Sequence, residues 1–275
     1  RGAGDMRHLT KILIGLLLVL AVSCSRTPPR GGGGGGGGPG GSTYTAGKTP
    51  QLVDSRPHAW RNGHPYNQDV HGIDISRWQG DIDWGRVRSA GINFAFIKAT
   101  EGADHVDPAF QRYWRETAAV RLPRSAYHYY YFCRSGEEQA EWFIKNVPRE
   151  RGAMPPVLDL EWTNSNTCPR RPPPAEVKRE ASVFMDIVGR YYGQRPIIYT
   201  TVDFYRENQL GDLRAEFWLR SVADHPRMTY PGQNWTFWQY TGTGIVPGIE
   251  GNVDLNAFAG SSADWTRWLS ARLTR

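Results

Sequence analysis

From about residue 70 onward, short apolar runs rich in β-branched and aromatic residues alternate with amphipathic stretches. The runs predict strands at His71–Ser76, Asn93–Ala99, Ala126–Phe132, Val157–Trp162, Ile197–Thr201, Phe217–Ser221, Thr236–Tyr240 and, shorter, Asn252–Leu255. The intervening segments predict helices at Asp83–Ala90, Pro108–Val120, Gly136–Asn146 and Pro174–Tyr192. Pro108 fits a first helical turn, where its missing N–H leaves nothing unpaired. Strands alternating with helices predict parallel strands joined by crossovers. Connections between Thr201 and Asn252 are shorter and less helical, so the expected α/β fold is a TIM-like barrel with an irregular second part.

Polar residues inside these apolar runs mark the candidate chemistry. Asp159 and Glu161 lie in Pro-Pro-Val-Leu-Asp-Leu-Glu-Trp, where an unpaired charge is costly to bury. Residues two apart on a strand share a face and lie roughly 6–7 Å apart. Asp74 lies in the first run, Lys98 and Glu101 close the second, and Tyr127, His128 and Tyr129 lie in the third. Tyr199 ends the fifth run, Trp238 lies in the seventh and Asp254 in the last. Barrel enzymes keep their sites at the C-terminal ends of successive strands. His128 alternates away from its two tyrosines and reads as a hydrogen-bonded core residue. Glu101 suits a solvated turn as well as a site.

Six segments in order resemble glycoside hydrolase family 25, the lysozymes of the Chalaropsis type. They are Asp74-Ile-Ser, Ile97-Lys-Ala-Thr-Glu-Gly, Tyr127-His-Tyr, Asp159-Leu-Glu, Trp238-Gln-Tyr and Val253-Asp-Leu-Asn, spanning about two-thirds of the chain. The resemblance implies five βα units followed by three further strands. It also implies cleavage of peptidoglycan between N-acetylmuramic acid and N-acetylglucosamine, with Glu161 as general acid. Such an acid needs a raised pKa, which neighbouring Asp159, Asp74 and Asp254 would favour. Asp159 could hold the substrate's acetamido group, activate water or stabilise charge; Asp74 and Asp254 would flank the cleavage point. Tyr127, Tyr129, Tyr199 and Trp238 are candidates for sugar contacts, with Glu101 beside them. A wall-binding protein without catalysis and a chitin-directed glycosidase are the rival readings.

The N-terminal region has a different character. Met6 reads as the natural start, with Arg1–Asp5 an extension. Arg7, His8 and Lys11 precede the apolar Ile12–Val22, and Ser23-Cys24 follows, the layout of a secretory signal over residues 1–24. The apolar run is too short to span a bilayer comfortably. Cys24 would be the lipidated N-terminus of a lipoprotein, or a plain thiol after cleavage behind Ser23. Residues 25–66, with eight glycines at Gly31–Gly38, read as a tether unable to bury enough apolar surface to fold. The barrel is expected over residues 67–275.

Charge and composition narrow the remaining possibilities. The chain has 33 basic and 27 acidic residues, a net +6, without a basic cluster interleaved with aromatics, which argues against nucleic acid. The 11 Trp and 13 Tyr suit a groove for sugar rings. No paired histidine spacing suggests a metal, and no cofactor is expected. Cys133 and Cys168 follow the third and fourth strands, so they could form a disulfide outside the cytoplasm, or stay separate thiols. A monomer in the periplasm or outside the cell, held to a membrane through Cys24, is the expected setting.

Overall fold

Eight strands close into a ring in the computed structural model, which describes residues 52–163 and 166–275. In chain order the strands are β1 (Val53–Asp54), β2 (His71–Ile75), β3 (Ile92–Glu101), β4 (His105–Val106), β5 (Arg124–Tyr129), β6 (Val157–Leu160), β7 (Ile197–Thr200), β8 (Phe217–Arg220), β9 (Phe237–Ile245) and β10 (Val253–Phe258). The ring runs β2-β3-β5-β6-β7-β8-β9-β10, and β10 returns to β2. Every neighbour is parallel except β10, which is antiparallel to both β9 and β2. β1 adds to β9 outside the ring, and β4 folds back on β3.

Helices α1 (Trp84–Ser89), α2 (Phe110–Ala119), α3 (Gly136–Asn146), α4 (Pro174–Tyr192) and α5 (Val202–Asn208) carry the first five crossovers. Only the four-residue α6 (Pro226–Thr229) separates β8 from β9, and a hairpin joins β9 to β10. The barrel therefore has five βα units followed by three further strands. The capping box of Ser135 and Glu138 starts α3, each side chain bonding the other's backbone N–H. Gly136 is required there: a Cβ would lie 2.2 Å from the Glu180 carbonyl oxygen of α4.

Side-chain alternation along the strands makes two cores. Ile73, Ile75, Ala95, Ile97, Leu158, Ile198, Phe217 and Leu219 face outward against the helices. Phe94, Phe96, Val157, Ile197, Trp218, Phe237 and Phe258 fill the lower barrel interior. Gly72 also lies on an inward position, and a Cβ there would meet the Phe94 ring at 2.4 Å. The antiparallel β10 delivers the chain to the N-terminal end of the barrel. There α7 (Ser262–Arg272) closes the bottom, with Trp265 5.3 Å from Phe94 and 5.1 Å from Phe258 between ring centroids. The interior is thus packed below and open for chemistry above.

Several boundaries differ from the sequence expectation. Pairing of β6 with β7 stops at Leu160–Thr200, so Glu161 and Trp162 lie just beyond the strand. Residues 52–66 are not tether: β1 pairs with β9, and the Trp60 ring meets Trp238 edge-on at 5.6 Å. Tyr66 completes that strap by donating its hydroxyl to the Leu52 carbonyl at 2.8 Å. Helix α7 was not expected, since its apolar stripe is interrupted by polar residues. The signal segment 1–24, Cys24 and the Gly31–Gly38 tract lie outside the described residues. No helix among the described residues is long and apolar enough to cross a membrane.

Cys133 and Cys168 form a disulfide with Cα atoms 5.7 Å apart, tying the loop after β5 to the loop after β6. The bridge spans 35 positions, and closing such a loop in the unfolded chain is worth about 3–4 kcal/mol. A Cys133→Ala, Cys168→Ala protein should melt roughly 6–12 °C lower by calorimetry. An unchanged Tm would mean that packing alone confines both loops.

Candidate active site

Alternation brings the acids together at the upper mouth. With Ile73 and Ile75 packed outward, Asp74 turns inward from β2, and Asp254 lies directly opposite it on β10 as its pairing partner. Asp159 turns inward from β6, between Tyr129 of β5 and Tyr199 of β7 in the register. Glu161 follows one pleat higher. Because β6 and β10 are four strands apart in either direction around the ring, Glu161 and Asp254 face each other across the mouth.

Asp74 is held by a defined network. Gln239 Nε2 and Asn256 Nδ2 both donate to its Oδ2, at 3.0 and 2.8 Å. Each amide is oriented from behind by a donor. Trp218 Nε1 bonds Asn256 Oδ1 at 2.7 Å, and the Tyr199 hydroxyl bonds Gln239 Oε1 at 2.8 Å. An indole can only donate, so the Asn256 oxygen must face it and its NH2 must face Asp74. Burial pushes the Asp74 carboxyl up to about 6 against these two donors. Both donors engage the same oxygen, Oδ2.

The other three acids are raised as well. Burial, then the charge of Asp74, lifts Asp254 to about 8. Two carboxylates directly opposite on neighbouring strands repel one another, so the pair favours retaining a proton. Burial, then the charge of Glu161, raises Asp159 well above the carboxylate range, and its Oδ1 is buried without a partner among the described residues. Burial also raises Glu161, with Asp74 adding to the shift, but Glu161 remains partly exposed. Of the adjacent pair, Asp159 is the deeper and Glu161 the one open to solvent.

Two cations temper this negative cluster. Arg220 is inward on β8, two residues beyond Trp218, and its charge opposes the rise at Asp74, Asp254 and Glu161. Lys98 acts on Asp159 and Glu161 from β3. It pairs with Glu101 at 2.6 Å and lies 4.9 Å from the Tyr129 ring centroid. Lys98 pairs with Tyr127 but Thr100 with His128, so β3 gives two residues to one of β5. That bulge turns both Lys98 and Glu101 toward the mouth. Tyr131 also donates its hydroxyl to Glu101.

The remaining expected residues divide by burial. Tyr127 and Tyr129 are partly buried on the inner face, and the Tyr129 side chain is hydrogen-bonded to Thr163. Tyr199 is inside the barrel but committed to Gln239 and packed 4.5 Å from Trp218, so it braces the floor. Trp238 does not join the site. It is fully buried on the outer face, donates Nε1 to the Ser221 carbonyl at 2.6 Å and packs against Trp60 and Tyr240. Its neighbour Gln239 is the inward residue of that triplet. His128 is a core residue, bonded to Thr100 Oγ1 at 2.8 Å and Gln139 Oε1 at 3.0 Å.

Gln239, Asn256 and Arg220 were not singled out from the sequence. The two-residue spacing that links Asp159 to Glu161 also links Asp254 to Asn256 and Trp218 to Arg220. That puts each pair on one face but does not reveal the role of the second residue, and Gln239 has no such link to an acid. No group of acidic, histidine or cysteine side chains suited to a metal occurs among the described residues.

Comparison with known proteins agrees with this architecture. The family model for glycosyl hydrolases family 25 matches residues 73–249. The chain is 39% identical to YegX of Escherichia coli K12 over 202 residues, 72% of each chain. It is 32% identical to lysozyme M1 of Streptomyces globisporus over 265 residues, covering 90% of this chain and 88% of that one. A family 25 glycosyl hydrolase from Bacillus anthracis superposes with a TM-score of 0.70 at 35% identity, over 78% of this chain and 99% of the other. A closed barrel with inward acids on β2, β6 and β10, matched over most of its length by that family, establishes that the chain belongs to glycosyl hydrolases family 25 and is a glycoside hydrolase.

Proposed function

We propose that this protein is an exported muramidase that cleaves the β-1,4 bond from N-acetylmuramic acid to N-acetylglucosamine in peptidoglycan, with Glu161 as general acid. Its similarity to lysozyme M1 supports the substrate class. The observation that carries the acid assignment is the contrast within the pair: Glu161 is raised yet partly exposed, while Asp159 is buried beneath it. A general acid must be protonated at working pH and able to reach the leaving oxygen. Glu161 is shifted toward the first demand by burial and by Asp74, and its exposure at the mouth favours the second.

As the glycosidic bond breaks, positive charge develops at the anomeric carbon. Asp159 is placed to stabilise that charge or orient the 2-acetamido group. Asp74 and Asp254, across the mouth, would position water or sugar hydroxyls beside the cleavage point. Arg220 and Lys98 keep the cluster from trapping too many protons. Export is supported by the signal-like residues 1–24 and by the Cys133–Cys168 bridge, which suits an oxidising compartment. Lipidation at Cys24 would hold the enzyme at a membrane.

Release of reducing ends from purified peptidoglycan tests the reading. Glu161→Gln should lower kcat by roughly 10²–10⁴-fold while leaving the fold intact. Full activity in that variant would remove Glu161 from the acid role, and cleavage of chitin but not peptidoglycan would favour the chitin-directed reading.

The electrostatics give a signed pH dependence. Glu161 must be protonated, so activity falls as pH rises through its pKa. Arg220 favours ionised Glu161, so Arg220→Gln should move the alkaline limb of kcat/KM to higher pH. A limb that stays put or moves down would show that Arg220 does not set this pKa.

Stability should also fall with rising pH, through Asp254. A carboxyl whose folded pKa is about 8, against an ordinary 3.8, favours the fold while protonated and loses that contribution as pH climbs from about 4 through 8. Asp254→Asn should therefore raise Tm, with a gain that grows between pH 4 and pH 8 in calorimetric scans. A gain independent of pH would show that repulsion at Asp254 is not the cause.

A further inference from the structure

The loop after β2 carries an aromatic side chain that packing does not explain. Trp78 is 77% exposed, alone among the 11 tryptophans of the chain, and stands four residues beyond Asp74. Leaving an indole in water forgoes one of the largest burial gains available to any side chain. The loop beneath it is nevertheless firmly built. Ser76 N donates to Gln79 Oε1 at 2.9 Å, and Arg77 N donates to Asp107 Oδ2 at 3.0 Å. Gln79 Nε2 reaches the Asn252 carbonyl at 3.4 Å, two residues before Asp254. Trp78 is thus fixed to the β2 and β10 side of the mouth, opposite Glu161. The Arg77 guanidinium lies 4.6 Å from its ring centroid, steadying one face and leaving the other open.

We propose that Trp78 is the platform of an outer sugar subsite, where an N-acetylhexosamine ring of the glycan strand stacks its C–H face on the indole. This rests on the reading of the protein as a glycan-cleaving enzyme. Asp254 lies two residues from the Asn252 carbonyl that holds this loop, so a glycan chain laid across the four acids from β6 toward β10 continues onto Trp78. The subsite engages only substrates long enough to reach it. It adds binding to long chains and nothing to the chemistry.

The test is binding of soluble peptidoglycan glycan chains by calorimetry in the inactive Glu161→Gln background, so that cleavage does not intervene. Trp78→Ala should weaken binding of chains of six or more sugars by about 3- to 10-fold and leave a disaccharide unaffected. Trp78→Phe should retain most of the affinity. In the active enzyme, Trp78→Ala should raise KM on long chains with kcat, pH profile and Tm unchanged. Equal binding of long chains by Trp78→Ala, equal losses at both lengths, or no binding of any N-acetylhexosamine chain by the parent would each overturn the subsite. Binding that depends on Trp78 in a wild-type protein that cleaves no glycan would instead sink only the catalytic reading.

Discussion

Four carboxyl groups share one barrel mouth, and the repulsion among them constrains everything built around it. Asp74 and Asp254 are direct cross-strand partners, and Asp159 lies one pleat beneath Glu161. Such a group resists ionisation as a set, because each new charge is opposed by burial and by the charges already there. The surrounding structure answers at graded depth. Two oriented amides stabilise Asp74, Arg220 and Lys98 supply diffuse positive charge, and Asp159 is left with an unpartnered oxygen. The outcome is a cluster in which all four carboxyls resist ionisation, Asp74 up to about 6 and Asp254 up to about 8.

That site depends on rigidity below it. The lower barrel is filled by stacked and edge-on aromatics, and Phe96 lies 4.2 Å from Trp218. Trp218 in turn fixes Asn256, which fixes Asp74. Packing, amide orientation and carboxyl ionisation therefore form one continuous chain from α7 to the acids. The exterior has matching supports: the strap of residues 52–66 covers Trp238 and Tyr240, and the disulfide joins two loops above the strands. Loops can vary around such a frame without shifting the acids.

Much of this was legible from residues alone, for physical reasons. Strands read clearly where both faces are buried, because such runs are continuously apolar, as in Ile197–Thr200. Carboxylates interrupting such runs are costly and so conspicuous; Asp74, Asp159 and Glu161 stood out on that ground. The same cost does not mark Gln239 or Asn256, since neutral amides are common and their role depends on what they face. Trp238 was misjudged because an aromatic beside a site residue reads alike whichever way it points. The residues of α7 and of β1 gave weak local signals, since each is stabilised by what it packs against rather than by its own pattern.

The sequence by itself determined the alternation of elements, the inward parity of the acids and the family, because these depend on local periodicity and on residue types along one strand. The tertiary structure decided which strands meet. Only ring closure sets Asp254 against Asp74 and opposite Glu161, and only the β3 bulge turns Lys98 and Glu101 to the same face. Depth was likewise a tertiary matter: Asp159 and Glu161 are equivalent in the sequence pattern, and the end of β6 pairing leaves one buried and the other open to solvent. Ionisation follows depth and neighbours, neither of which a linear pattern contains.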